Sequence, residues 1–170
     1  AIAKALKVNT SLTEIELQKN NIGDEGAKEL AEALKVNTSL KKINLWENDI
    51  GDEGASAIAK GIQENKNCVL EELNLHSNEI KVEGAKSLAE MIKVNASLKN
   101  IDLLKNKIGD EGFEAIKIAF EGNEHLKSIC GIKEDETEKN FSDKYLKPVD
   151  GKLLALDLKF NASLKKINLS

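Results

Sequence analysis

The sequence predicts an α/β solenoid, with an inner parallel β-sheet, outer α-helices and about 28 residues per repeat. One recurring phrase carries this prediction. It reads LKVNTSL at residues 6–12 and 34–40, IKVNASL at 92–98 and LKFNASL at 158–164. The leucines that lead into the next apolar stretch are 28, 30, 28 and 28 residues apart, at Leu12, Leu40, Leu70, Leu98 and Leu126. Before three runs rich in apolar residues comes the sequence IGDEG, at Ile22, Ile50 and Ile108.

Residues 12–39 show how one repeat is built. The repeat opens with three apolar residues that alternate with polar ones, Leu12, Ile15 and Leu17. This alternation predicts a short strand with one apolar side. The GDEG sequence at 23–26 predicts the start of a helix, with Asp24 as the N-cap of that helix. Apolar residues then recur at helical spacing, and only stacking of repeats can bury both apolar faces.

Asparagine recurs at two positions of the repeat. One set follows the predicted strands, at Asn20, Asn48, Asn78 and Asn106. We expect these side chains to hydrogen-bond backbone groups in the bend and to form a ladder through the stack. The other set begins four N-x-S/T sequons, at Asn9, Asn37, Asn95 and Asn161. Each of these lies just before a strand, where asparagine favours a turn, so we expect turns there rather than glycosylation.

The consensus L-x-x-[IL]-x-L-x-x-N-x-I-G-D-E-G-A-x-x-[LI]-A resembles the leucine-rich repeat, in particular its ribonuclease-inhibitor-like subtype with a helix of full length. The match is close from residue 1 to about residue 121 and looser after it. Proteins with similar repeats include ribonuclease inhibitor, the sensor domains of NOD-like receptors and the Ran GTPase-activating proteins. The resemblance implies a horseshoe-shaped arc with the sheet on its concave face and the binding of a protein as its use.

The period slips in one place. At residues 126–135 the strand pattern weakens, because Gly131 stands where a leucine is expected. The register then resumes, and Pro148 falls at the expected start of a helix, where proline suits the first turn. We expect a single domain over 1–170, with 126–135 as an irregular insertion or short repeat without a helix and 136–170 as a degenerate repeat. Because neither end carries a polar capping repeat, we expect a fragment of a longer array.

Composition disfavours several classes of partner. The net charge is −4 and the pI about 5.4, which argues against nucleic acid and anionic membranes. All 25 basic residues are lysines, so the chain can supply no arginine finger to a GTPase. No run of the sequence is apolar enough to span a bilayer. Cys68 and Cys130 suggest no disulfide framework, and we expect a cytoplasmic protein.

The sequence contains no recognisable motif for catalysis, metal binding or cofactor binding. The carboxylates of the GDEG segments recur because helices start there. His76 and His125 have no zinc-ligand spacing relative to the cysteines. No phosphate-cradling glycine loop and no nucleophile–base arrangement is present. We therefore expect a protein that is not an enzyme and that binds no metal, cofactor or small molecule.

Strand residues that point away from the helices are predicted to form columns across the concave face. Nine of them make up the predicted partner-binding site, namely Gln18, Trp46, His76, Leu104, Asn44, Asn74, Asp102, Lys42 and Glu72. Trp46 is the only tryptophan, and an aromatic residue in polar surroundings is typical of an interface hot spot. The alternative is that Trp46 and Leu104 are isolated exposed apolar residues, which are common.

The function expected from these observations is non-catalytic binding of a protein partner through the concave face. Three alternatives remain open. The resemblance allows a regulator of a small GTPase of the Ran GTPase-activating kind, or a cytoskeletal scaffold of the tropomodulin kind. The composition, rich in lysine and asparagine, allows an effector delivered into a host cell. We expect a monomer, with edge-to-edge association as the alternative if both ends of the array are truncated.

Overall fold

The structure, a computed structural model, describes residues 1–142 and 145–169, in which six helices alternate with six short strands. The helices are α1 (Ile2–Leu6), α2 (Gly23–Leu34), α3 (Asp52–Glu64), α4 (Val82–Val94), α5 (Gly109–Glu121) and α6 (Pro148–Phe160). The strands are β1 (Glu14–Glu16), β2 (Lys42–Asn44), β3 (Glu72–Asn74), β4 (Asn100–Asp102), β5 (Glu138–Asn140) and β6 (Lys166–Asn168).

Four strands form one parallel sheet in the order β1-β2-β3-β4, so neighbours in sequence are neighbours in space. The register follows the repeat, because Ile15 lies opposite Ile43, Ile43 opposite Leu73, and Leu73 opposite Ile101. Beyond β4 the pairing continues for a few residues, where the N–H of Ile101 donates to the carbonyl of Ser128 at 3.0 Å. Parallel strands joined by helices confirm the predicted α/β solenoid.

The core lies between the sheet and the layer of helices. In β2 the central residue Ile43 is 2% exposed, and Leu45 directly after it is fully buried. Alanines such as Ala27 and Ala55 are also fully buried on the helix sides, where small side chains let adjacent helices pack closely. Burying one leucine or isoleucine side chain contributes about 1.5–3 kcal/mol. Each repeat therefore stabilises the stack mainly through apolar contacts with its two neighbours.

The prediction that Asp24 caps its own helix is wrong. Helix α2 begins at Gly23, and no side chain caps its first turn. The Asp24 carboxylate instead accepts hydrogen bonds from the backbone N–H groups of Gly51 (2.7 Å) and Gly54 (2.9 Å), at the start of α3. Asp52 accepts from the first turn of α4 in the same way. Because adjacent helices start side by side, a carboxylate in one first turn reaches the unpaired donors of the next helix.

The ladder of asparagines in the bends is confirmed, and Asn78 shows its pattern. Its Oδ1 atom accepts hydrogen bonds from the N–H groups of Asn48 (3.1 Å) and Ile50 (3.0 Å) in the preceding repeat. Its Nδ2 atom donates to the carbonyls of Leu45 and Leu75, both at 3.0 Å. Each internal ladder asparagine thus satisfies buried backbone groups of two repeats at once.

The turn role of the sequon asparagines is also confirmed. The Oδ1 atom of Asn37 accepts hydrogen bonds from the N–H groups of Ser39 (3.0 Å) and Leu40 (2.8 Å), which forms a turn before the strand. Its Nδ2 atom donates to the carbonyl of Leu6 in the preceding repeat at 2.8 Å. Asn65 and Asn123, which begin no sequon, form the equivalent turns. Asparagine at this position of the repeat is therefore explained by the turn alone.

The chain leaves the four-stranded sheet after the positive-φ residue Gly131. Strands β5 and β6 form a separate two-stranded parallel sheet, in which Glu138 lies opposite Lys166. Their separation of 28 residues is that of the earlier repeats. Between them, α6 starts at Pro148. Proline suits this position because it has no N–H group, and the first turn of a helix leaves those groups unpaired in any case.

Helix α6 closes the C-terminal edge of the four-stranded sheet with two carboxylates that have no exposed surface. Asp150 accepts a hydrogen bond from the N–H of Lys105 at 2.7 Å. The Oδ2 atom of Asp157 accepts from the N–H groups of Ile129 (2.9 Å) and Cys130 (2.8 Å). These donors face the position that the carbonyl groups of another strand would occupy. The carboxylates therefore end the sheet by replacing that strand.

Asp157 is held in this position at an electrostatic cost. Its Oδ1 atom is buried and has no hydrogen-bond partner among the described residues. Burial raises the pKa of Asp157 above its ordinary value, although the hydrogen bonds from Ser128 and from the backbone oppose that shift.

In the described part of the chain, no helix combines the length and the hydropathy that crossing a membrane requires.

Candidate interaction surface

Trp46 lies directly after β2 on the concave face and is partly exposed. Three neighbours fix its position. Its backbone N–H donates to Asn44 Oδ1 at 3.1 Å. Lys19 Nζ lies 4.6 Å from the centroid of its ring, and the ring of His76 meets the indole edge-on with centroids 6.2 Å apart. Cation–π and edge-to-face contacts of this kind hold an aromatic side chain in one orientation. The ring is therefore presented in an ordered position.

Asn44, Asn74 and Asp102, predicted as partner contacts, also have a structural role. Each uses its Oδ1 atom to accept the backbone N–H of the residue two positions later, at 2.9 to 3.1 Å. This bond bends the chain at the end of each strand, and the residue three positions after the Asn or Asp has a positive φ angle, as at Glu47. Asn44 also donates from Nδ2 to Glu16 at 2.6 Å.

Lys42 and Glu72 lie side by side on the same face. Lys42 Nζ is 2.8 Å from Glu72 Oε1, and the hydrogen bond to Glu72 and the charges of Glu72 and Glu14 raise the pKa of Lys42 above its ordinary value. Both side chains are slightly more than a third exposed, so solvent screens the attraction between their charges. At the end of the row, the half-buried Asn100 donates from Nδ2 to the carbonyl of Ile132 at 2.8 Å.

The C-terminal half of the concave face is covered. Leu104 is fully buried and His76 only 7% exposed, so the prediction that both side chains face solvent is wrong. The covering segment is β5 and the residue after it. A small cavity of about 190 Å³ lies between the two parts of the chain and is lined by Trp46, Asn74, His76, Asp102, Lys139, Asn140 and Phe141. Lys139 is fixed over this face by a hydrogen bond to the carbonyl of Gly131 at 2.8 Å.

The N-terminal half of the concave face remains open. Gln18 is half-buried next to Trp46 in the predicted column, and its Oε1 atom is buried without a hydrogen-bond partner among the described residues. His76 Nδ1 lies 3.4 Å from Asp102, behind the tryptophan. The structure therefore groups Gln18, Trp46, Asn44, Lys42 and Glu72 on an open surface. It places His76, Asn74 and Asp102 at the boundary with the covering segment.

Among the described residues, no group of three or more His, Cys, Asp or Glu side chains could hold a metal ion. Burial, supported by the negative charge of Asp157, raises the pKa of the Cys130 thiol well above its ordinary value, which disfavours the nucleophilic thiolate. Cys68 is half-buried, and its sulfur lies 3.8 Å from the hydroxyl of Ser97.

Four stretches of the chain match the family model described as Leucine Rich repeat, at residues 8–31, 36–59, 66–89 and 94–117. Together they cover more than half of the sequence. The chain therefore belongs to the leucine-rich repeat proteins, as the repeat consensus and the strand–helix alternation indicated. Leucine-rich repeats are a scaffold for protein interactions, in which stacked units present an extended concave surface.

Two solved structures share the fold over most of their length. One is the actin-binding site 2 (ABS2) of leiomodin-1, with a TM-score of 0.67 and 22% sequence identity over 92% of this chain and 87% of that one. The other is the C-terminal domain of tropomodulin from Caenorhabditis elegans, with a TM-score of 0.66 and 20% identity over 92% and 91%. At these identities the similarity establishes the fold alone. No curated protein matches the chain.

Proposed function

We propose that the chain is a non-catalytic module that binds a protein partner through the open half of its concave face. The central contact is Trp46, with Gln18, Asn44, Lys42 and Glu72 around it. The observation that carries the proposal is the ordered, partly exposed indole in polar surroundings. Interface hot spots are enriched in tryptophan and lie inside a ring of polar residues. A partner that covers Trp46 would also remove its remaining apolar surface from water.

Preorganisation supports this choice of surface. The five residues lie in or shortly after strands of one hydrogen-bonded sheet. The backbone of Trp46 is bonded to Asn44, and its ring contacts Lys19 and His76. Little conformational entropy is therefore lost when a partner binds, which favours affinity. His76, Asn74 and Asp102 enter the proposal as supports of the indole and as rim contacts. Leu104 is fully buried and is therefore not a partner contact in this proposal.

The test compares three forms of the chain in affinity capture with quantitative mass spectrometry. Trp46→Ala is expected to lose at least tenfold of the captured partner, while its far-UV circular dichroism stays that of the wild type. Val94→Ala is the matched control, because Val94 is 71% exposed and is the last residue of α4, outside the strands that form the concave face. Equal recovery of partners by Trp46→Ala and the wild type would rule out the indole as the central contact.

Actin is the second candidate partner. The observation that favours it is the shared fold, over 92% of this chain, with a structure whose description is an actin-binding site. Co-sedimentation with filamentous actin tests it directly, and Trp46→Ala then decides whether the concave face is used. Absence of the chain from the actin pellet at micromolar actin would exclude this partner. Nothing in the described residues favours the GTPase-regulator or effector alternatives over these two.

A further inference from the structure

The cavity between the concave face and β5 is built from residues that suit a positively charged group. Its volume of about 190 Å³ is below the roughly 300–1,000 Å³ of pockets that hold a whole drug-sized molecule. A cavity of this size suits a single side chain or head group. Three of the lining residues carry aromatic rings, namely Trp46, His76 and Phe141. Aromatic ring faces are negatively polarised, and several of them around one cavity attract organic ammonium groups.

The aromatic wall of the cavity is ordered. The rings of Trp46 and His76 meet edge-on with centroids 6.2 Å apart, and Phe141 is only 4% exposed. The Trp46 ring also has an ammonium group beside it already, because Lys19 Nζ lies 4.6 Å from its centroid. Lys19 follows β1, on the far side of β2 from β3 and His76, and it does not line the cavity. The indole therefore contacts one cation on its β1 side and borders the cavity on its β3 side.

Asp102 supplies the cavity with a carboxylate whose charge the turn does not need. Its Oδ1 atom accepts the backbone N–H of Leu104 at 3.0 Å. The equivalent residues of the two preceding repeats, Asn44 and Asn74, form the same bond with an uncharged amide oxygen. The Asp102 side chain is only 17% exposed, and a charge is costly at such a position. The negative charge therefore requires an explanation other than the turn.

No lysine of the described residues pairs with this carboxylate. The basic group beside Asp102 in the described chain is the imidazole of His76, whose Nδ1 atom is 3.4 Å away. A neutral imidazole with its proton on Nδ1 donates to the carboxylate and leaves the negative charge in place. Lys139 also lines the cavity, but its Nζ atom donates to the carbonyl of Gly131 and lies 3.0 Å from Glu136 Oε2. Because the charge of Lys139 is paired in this way, the lining as a whole favours a cation.

We propose that this cavity binds an organic ammonium group, and that the group belongs to a lysine side chain, methylated or not, of the protein partner. The ammonium lies against the rings of Trp46 and Phe141 and faces the carboxylate of Asp102. The assignment to a partner's lysine rests on the proposed function, because the cavity borders the open surface around Trp46. A free quaternary ammonium compound has the same chemistry, and the experiment separates the two sources.

Nuclear magnetic resonance of the isotope-labelled chain tests the cavity with choline and with the uncharged alcohol in which a carbon atom replaces the nitrogen of choline. Choline is expected to shift the single indole N–H signal, which belongs to Trp46, and the amide signals of Asn74 and Asn140, in a saturable way. The uncharged isostere should bind at least about fivefold more weakly, because it lacks the cation. Equal binding of the two compounds overturns the proposal, as does tighter binding of acetate than of choline.

Asp102→Asn isolates the contribution of the charge. The amide oxygen can still accept the N–H of Leu104, as the asparagines of the two preceding repeats do, so the far-UV circular dichroism should stay that of the wild type. The affinity for choline should fall at least about fivefold. Phe141→Leu, which removes a ring and keeps an apolar side chain, should also weaken binding. Glu53→Gln, on α3 and 72% exposed, is the matched control and should bind choline as the wild type does. Unchanged affinity in a folded Asp102→Asn variant overturns the proposal.

Short glycine-flanked peptides decide the source of the ammonium group. Peptides with lysine or trimethyllysine at the central position are expected to shift the Trp46 signal, and a peptide with norleucine there is not. Binding of choline without binding of either lysine peptide overturns the assignment to a partner's side chain. The two proposals also fail separately. Loss of partner capture in Trp46→Ala with no binding of choline overturns this inference alone, whereas choline binding with undiminished capture by Trp46→Ala overturns the proposed function and leaves the ammonium site.

Discussion

Replacing Asn78 by alanine tests the energetic role of the asparagine ladder. The side chain accepts hydrogen bonds from the N–H groups of Asn48 and Ile50 and donates to the carbonyls of Leu45 and Leu75. Asn78 is 4% exposed, so these four backbone groups would be left without water as a substitute. At about 1 kcal/mol for each buried group left unsatisfied, the loss comes to about 4 kcal/mol. That is a large part of the roughly 5–15 kcal/mol by which domains are stable.

Asn20→Ala is the matched control for this measurement. Asn20 is the ladder residue of the first repeat and is exposed, and its Nδ2 atom donates to the carbonyls of Leu17 (2.9 Å) and Gln18 (2.8 Å). Water can replace these bonds, so the expected cost is about 1 kcal/mol or less. Urea unfolding followed by circular dichroism gives both values under the same conditions. Equal losses for the two variants would refute the argument that burial of the ladder sets its contribution.

Two further predictions concern packing and pH. A Cβ atom on Gly61 would lie 2.6 Å from the carbonyl oxygen of Ala31, so Gly61→Ala should lower the free energy of unfolding in urea by about 1–3 kcal/mol. A Cβ atom on Gly151 would meet no atom within 4 Å, so Gly151→Ala should raise the free energy of unfolding by up to about 1 kcal/mol. Because burial raises the folded-state pKa of Asp157, its contribution makes the fold more stable as the pH falls through that pKa. Asp157→Asn should lose this gain, and identical stability–pH curves would contradict it.

The repeated parts of the fold were predictable because they depend on local sequence. The strand at β1, the helix of α2 and the turn asparagines occur where the period places them. The Asp24 cap was misassigned for a reason that one repeat cannot reveal. Its carboxylate acts on α3, whose first turn lies beside it only after the repeats have stacked. The residue type indicated a cap, but the partner helix was set by tertiary packing.

The candidate site was predictable only in part. The prediction that strand residues form columns across the concave face holds for the position of Trp46. Trp46 lies shortly after β2 and is partly exposed. The same prediction failed at Leu104 and His76, which are both buried. His76 lines a cavity together with Lys139, Asn140 and Phe141. Leu104 was the one signal in the sequence, since a leucine in a column of polar residues indicates a covered position. The covering residues, 138–141, come shortly after the segment where the period slips.

The sequence alone determined the repeat, its register and the residues that form the core, because these depend on spacings that recur within about 28 positions. Only the tertiary structure decided which part of the concave face is open. The return of residues 138–141 over that face depends on single contacts such as Lys139 to the carbonyl of Gly131. The closure of the sheet edge by Asp150 and Asp157 likewise depends on donors far away in sequence. Each of these contacts occurs only once and does not recur with the repeat, so the periodic pattern of the sequence could not predict them.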